Sequence, residues 1–87
     1  MSKESDIWHV YMVRCSDGTL YTGITNDLKK RIEAHNSGKD GARYTRSRRP
    51  VKLVYFEQVK SKSAAARLEY QIKKLPRLKK KDLVEED

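Results

Sequence analysis

The chain alternates short apolar runs with longer polar ones, and the period of the runs changes along its length. Residues 7–13, Ile-Trp-His-Val-Tyr-Met-Val, are β-branched and aromatic and largely apolar at odd and even positions alike, the pattern of a central strand covered on both faces. Ser16-Asp17-Gly18 supplies turn chemistry, and residues 20–24, Leu-Tyr-Thr-Gly-Ile, read as the returning strand of a hairpin. Thr25, Asn26 and Asp27 are three successive helix-cap residues, followed by helical periodicity over residues 28–36. Residues 37–49 are polar, contain Gly38 and Gly41, and read as a long loop. A third strand follows Pro50 over residues 51–59. Ser61 or Ser63 caps a second helix running to about residue 75, and Pro76 suits the first turn of a short last helix through Val84. The predicted order ββαβαα is that of one α+β domain over residues 1–87, a small three-stranded, mostly antiparallel sheet flanked by helices. Its core is expected at about residues 7–84, with fraying at 1–5 and 85–87.

Two helices and the hairpin break the rules of a purely structural domain. On the first helix Leu28, Arg31, Ile32 and His35 share an arc of about 100°. On the second, Ala65, Leu68, Glu69, Ile72 and Leu75 share one stripe. Arg and Glu rarely turn inward unless paired, so these positions mean either an internal Arg31–Glu69 ion pair or an active-site cleft. In the hairpin, a two-residue turn would put Tyr11 and Tyr21 on opposite faces. A three-residue loop, with Gly18 left-handed in a bulge, pairs Cys15 with Thr19 and sets Tyr11 opposite Gly23 with Tyr21 as its diagonal neighbour. The bulged loop is the predicted one. Glycine opposite a tyrosine opens space beside the phenol, or the two tyrosines simply pack.

Charge narrows the function. Twenty Lys and Arg against 12 Asp and Glu give the 87 residues a net charge of +8, which points to an anionic partner and to nucleic acid above all. Arg43, Arg46, Arg48 and Arg49 crowd the long loop, with Lys39 and Lys52 on its flanks, and Lys73, Lys74, Arg77, Lys79, Lys80 and Lys81 form a second cluster. Tyr44 in the basic loop either stacks on a base or packs locally, and Asn36 reads as a helix C-cap. Tyr55 and Tyr70 are left to the core or its rim. No run approaches the ~20 apolar residues of a membrane span, and Met1 to Asp6 hold no apolar signal segment. The single cysteine, Cys15, makes no internal disulfide and suits a reducing cytoplasm, where it serves as a small core residue. With only Cys15, His9 and His35 as soft ligands, a zinc site is not expected.

Taken together, His9-Val10-Tyr11, Tyr21-Thr22-Gly23, Arg31, His35-Asn36-Ser37-Gly38, Gly41-Ala42-Arg43-Tyr44-Thr45-Arg46 and Glu69 resemble the GIY-YIG nuclease superfamily, and its small stand-alone bacterial members above all. The resemblance spans about residues 7–75, with His9 in place of the first Gly of the signature and Thr22 in place of the second Ile. It implies phosphodiester hydrolysis with one divalent metal, Mg²⁺ or Mn²⁺, held by Glu69. Arg31 would clamp a phosphate oxygen, and Tyr21 would hydrogen-bond the phosphate or the attacking water. Tyr11 resembles the family's general base, and His35, one turn beyond Arg31, is the alternative base or relay. A phenol with an ordinary pKa near 10 is only ~0.1% ionised at pH 7, so Arg31 or the metal is expected to favour the phenolate. Nucleic-acid contacts are expected from Arg43, Tyr44, Arg46, Arg48, Arg49, Lys73 and Lys74. No recognition helix is legible, so backbone or shape recognition is expected. The resulting expectation is a metal-dependent endonuclease acting on DNA, branched or single-stranded substrates included, with a protein partner supplying targeting. A non-catalytic nucleic-acid-binding module on the same fold is the alternative.

Overall fold

The structure is a computed structural model that describes residues 7–37 and 43–84, with Arg43, Tyr44, Arg77 and Lys81 described by their backbone alone. The expected frayed termini, and Lys39 of the basic loop, lie outside the described residues. Seven elements follow one another: β1 (Trp8–Arg14), β2 (Leu20–Thr25), α1 (Leu28–Ser37), α2 (Arg43–Arg46), β3 (Lys52–Val59), α3 (Lys62–Lys73) and α4 (Arg77–Val84). The strands form one antiparallel sheet in the order β2-β1-β3.

The unbroken apolar character of β1 is explained by its central place, where both faces are covered. Val10 and Met12 pack with Ala65 and Ile72 of α3 and Val84 of α4. Tyr11 and Val13 point the other way, into a second cluster with Cys15, Val51 and, from α1, Leu28 and Ile32. Alternation along one strand therefore holds two helical layers apart. Cys15 is buried in that second cluster, as expected of a core thiol.

The hairpin closes through the predicted bulged loop. Gly18 is left-handed, with φ of 87°, its N–H donates to the Cys15 carbonyl at 2.9 Å, and the Cys15 N–H donates to the Thr19 carbonyl at 2.8 Å. Tyr11 consequently stands opposite Gly23, and Val13 opposite Tyr21. Asp27 caps α1 by accepting from the Lys30 N–H at 3.2 Å, and Ser61 caps α3 by accepting from the Ala64 N–H at 3.1 Å.

Three sequence expectations need correction. Residues 43–46 are one turn of helix, α2, where a continuous loop was predicted; a single turn is too short to leave a periodic signal. Asn36 is not a C-cap. It reaches across to β3, donating from Nδ2 to the Val51 carbonyl at 3.1 Å and accepting the Val51 N–H at Oδ1 at 2.7 Å, so it pins the start of the third strand to α1. Tyr70 stands out in solvent, 63% exposed, with the Lys74 ammonium 5.0 Å from its ring centre, whereas Tyr55 does border the core.

The hairpin register generates a direct test. A Cβ at position 23 would stand 2.6 Å from Tyr11 Oη and 2.8 Å from its Cζ, and the buried phenol has little room to yield. Gly23→Ala is expected to destabilise the fold by about 1–3 kcal/mol, the usual cost of overpacking, seen as a lower urea midpoint. An unchanged midpoint would show that the ring is free to shift.

Candidate active site

Tyr11 extends from the middle of β1 across Gly23, and its hydroxyl meets His35 of α1, with Oη 2.8 Å from Nε2. The other imidazole nitrogen, Nδ1, is 2.9 Å from the Thr45 hydroxyl on α2. Three elements thus contribute one side chain each to a hydrogen-bonded row, and all three side chains are at most 1% exposed. In the tautomer with the proton on Nδ1, the phenol donates to Nε2 and Nδ1–H donates to Thr45. The Tyr21 ring stands edge-on to the same imidazole, its centre 5.5 Å away, and the Tyr11 ring at 5.8 Å.

Arg31, one turn before His35, joins this buried row to the surface. Its Nε donates to Tyr11 Oη at 3.4 Å, and the residue lines an open cleft with Thr25, Asn26, Asp27, Lys30 and Ala34. The electrostatics leave both ring groups neutral. Burial, and then the Arg31 charge, lower His35 from 6.5 to about 4. Burial raises the Tyr11 phenol above its ordinary value; the Arg31 hydrogen bond and charge pull it down, while the charges of Tyr21 and Glu69 push it up further. Arg31 was expected to favour the phenolate. It does act in that direction, but desolvation wins.

Glu69 comes from the other layer. It lies on α3, its side chain is 23% exposed, and its carboxylate pairs with Lys73 at 3.1 Å, an i,i+4 contact within the helix. Glu69 thus pairs within its own helix, and it is close enough for its charge to act on Tyr11. Among the described residues no group of three or more His, Cys, Asp or Glu could hold a metal ion. A single partly exposed carboxylate, once freed from Lys73, nevertheless suits Mg²⁺ or Mn²⁺, which keep several waters and take the rest of their oxygens from a phosphate.

The expected nucleic-acid residues divide. Arg46 and Arg49 are exposed. Arg48 is engaged with the hairpin turn, its Nε 3.0 Å from Asp17 Oδ2, while its carbonyl accepts the Ser16 N–H at 2.9 Å. Lys73 and Lys74 are exposed, the first beside Glu69 and the second over Tyr70. The side chains of Arg43 and Tyr44 lie outside the described residues. Thr45 is the site residue that sequence reasoning left without a role. It belonged to the Arg-rich segment only as one member of a motif, and no periodicity marks a threonine that turns inward from a single basic turn.

Tyr11, His35 and Thr45 thus form a buried row that Arg31 links to an open cleft, and comparison with known proteins gives the chain a family. Residues 7–82 match the GIY-YIG catalytic domain, and the chain belongs to that nuclease family. Within it, the chain is similar to the UPF0213 protein DP2720 of Desulfotalea psychrophila, 57% identical over 77 residues that make up 88% of this chain and 70% of that one. A UPF0213 protein of Halobacterium salinarum is 55% identical over 86% of this chain and 96% of its own. The solution NMR structure of UPF0213 protein BH0048 from Bacillus halodurans is 47% identical, with a TM-score of 0.58 over 90% of this chain and 82% of that one. No helix among the described residues is long and apolar enough to cross a membrane.

The neutral His35 has a measurable consequence. Its imidazole resonances are expected to titrate with a midpoint of about 4. Because the folded value is depressed, the unfolded chain binds the extra proton between pH 6.5 and about 4, so stability is full above that window and declines as pH falls through it. Thr45→Val, which removes the partner of Nδ1, should shift the tautomer ratio read from imidazole ¹⁵N shifts. A midpoint near 6.5 would mean that His35 is solvated.

Proposed function

We propose that the chain is a metal-dependent endonuclease that hydrolyses DNA phosphodiester bonds, acting on single-stranded or branched substrates. The observation that carries this reading is the buried row Tyr11–His35–Thr45 ending at Arg31 on an open cleft. A proton acceptor beneath a phosphate clamp is what the attack of water on a polyanion needs. The +8 net charge and the family match support a nucleic-acid substrate.

In this mechanism Arg31 receives a non-bridging phosphate oxygen on its guanidinium, which stays charged at any working pH. An attacking water gives its proton to the Tyr11 oxygen as the phenol proton passes to His35 Nε2, and Thr45 accepts from Nδ1–H throughout. The water oxygen forms the new bond to phosphorus, and the bond to the departing ester oxygen breaks. His35 is a poor acceptor in the free protein because it is buried beside the Arg31 charge. An arriving phosphate neutralises that charge and brings a negative one, so the imidazolium becomes affordable only when substrate is present. Tyr21 orients the phosphate or the water. Glu69 would hold Mg²⁺ or Mn²⁺, whose chemistry is to offset charge on the phosphate and the leaving oxygen. Arg46, Arg49, Lys73 and Lys74, with Arg43 and Tyr44, would track the backbone, and a protein partner would supply targeting. The cytoplasm is the compartment this chemistry suits.

Cleavage of plasmid, single-stranded and branched DNA with Mg²⁺ or Mn²⁺ tests the reading. Glu69→Ala is expected to abolish cleavage. Tyr11→Phe should slow it by about 10²–10⁴, as for loss of a general base, and Arg31→Ala by about 10²–10³. Cleavage that survives Glu69→Ala would point to a contaminant, and binding without cleavage on every substrate would favour a non-catalytic module. If about five phosphates are neutralised, log K should fall with log salt at a slope near −4.5; a flat dependence would exclude nucleic acid.

A further inference from the structure

The sheet face that carries Tyr11 is covered along only part of its length. Around Tyr11 and Val13 it is roofed by α1, through Leu28 and Ile32, together with Val51. Beside the start of β1, on β3, the cover thins among the described residues. Phe56 of β3 pairs directly with Tyr11, and Gln58 pairs with His9; residues directly opposite in a sheet share a face, with Cβ atoms about 5 Å apart. Both β3 residues are exposed, Phe56 to 54%.

A single exposed phenylalanine is ordinary on a protein surface. Its surroundings set this one apart. The imidazole of His9 stands edge-on to it, with ring centres 6.0 Å apart and planes at 64°. His9 Nδ1 is buried without a hydrogen-bond partner among the described residues, so the ring is held there at a polar cost, and it stands where the family signature carries a glycine. Phe56 is therefore a braced, solvent-facing aromatic on the same sheet face as Tyr11, one strand across from it.

We propose that Phe56, braced by His9, is a stacking platform for an unpaired nucleobase of the strand whose phosphate Arg31 receives. The occupant follows from complementarity. The chain carries +8 net charge, Lys30 and Arg31 line a cleft that starts at Thr25, the β2 partner of His9, and an aromatic ring on the same face as cationic side chains is the pairing that single-stranded nucleic acid recognises. A base inside a duplex has both faces stacked and cannot reach the ring, whereas an unpaired base can. The platform thus makes strand state the basis of substrate choice. It rests on the nuclease reading for the position of the phosphate, but its effect on binding is separable from cleavage.

The test is equilibrium binding in EDTA, so that no cleavage occurs. The probes are a fluorescein-labelled 12-nucleotide single strand, the same strand in a blunt duplex, and the same strand with abasic sites. Phe56→Ala is expected to weaken single-strand binding roughly tenfold to a hundredfold, the range for losing one stacked base, and to leave duplex binding unchanged. Phe56→Trp should preserve single-strand affinity, and the abasic strand should bind wild type and Phe56→Ala alike. A Phe56→Ala variant that binds the single strand as wild type does overturns the proposal, and so does one that loses single strand and duplex equally. Wild-type protein that binds no probe overturns the nucleic-acid reading itself, and a Phe56→Ala variant with the expected binding loss but no cleaving parent leaves the platform standing while the nuclease reading falls.

Discussion

The hydrogen bond between Tyr11 and His35 is the constraint around which the rest of the site is arranged. It joins the central strand to the helix packed on it, and both side chains are almost wholly buried. Each end makes a demand. The phenol must cross β2, which requires that position 23 carry no side chain, and the imidazole must have a partner on its far nitrogen, which Thr45 supplies. A buried polar group without a partner costs free energy of the order of 1–3 kcal/mol, so the row is stable as a whole or not at all.

Arg31 has two opposed effects on this row. Its charge lowers the phenol's pKa, and it also lowers the imidazole's. Burial acts on both groups in favour of their neutral forms, and in the free protein the neutral forms win. A site built this way holds its proton acceptor in reserve. The presence of a polyanion at Arg31, rather than a permanently ionised tyrosine, is then what makes proton transfer favourable in the proposed reaction. Asn36 serves the same region from the outside, since its two hydrogen bonds to Val51 tie α1 to the chain just before β3.

Much of this was legible in the residues. The central strand showed in its two-sided apolar run, and the bulged hairpin followed from parity, because only an even register lets Tyr11 face Gly23. The anomalous arc of Leu28, Arg31, Ile32 and His35 marked α1 as more than structural. Other features had no local signature. The ion pair of Arg48 with Asp17 joins residues 31 positions apart, and Asn36 read as a cap because its real partner lies 15 residues away. Phe56 lay unmarked within the third strand; the order β2-β1-β3 among the described residues places it on an edge strand opposite Tyr11.

By itself, then, the amino-acid order determined the elements, the hairpin register, the basic character and the residue types available for chemistry, because periodicity, turn geometry and charge are local properties. The tertiary structure alone decided which of those residues meet, which stay neutral and which remain in water. Desolvation depends on every layer packed around a group, and no window of sequence contains it. The phenol of Tyr11 shows the difference: its place opposite glycine could be counted along the chain, while its protonated state was set by burial between a sheet and two helices.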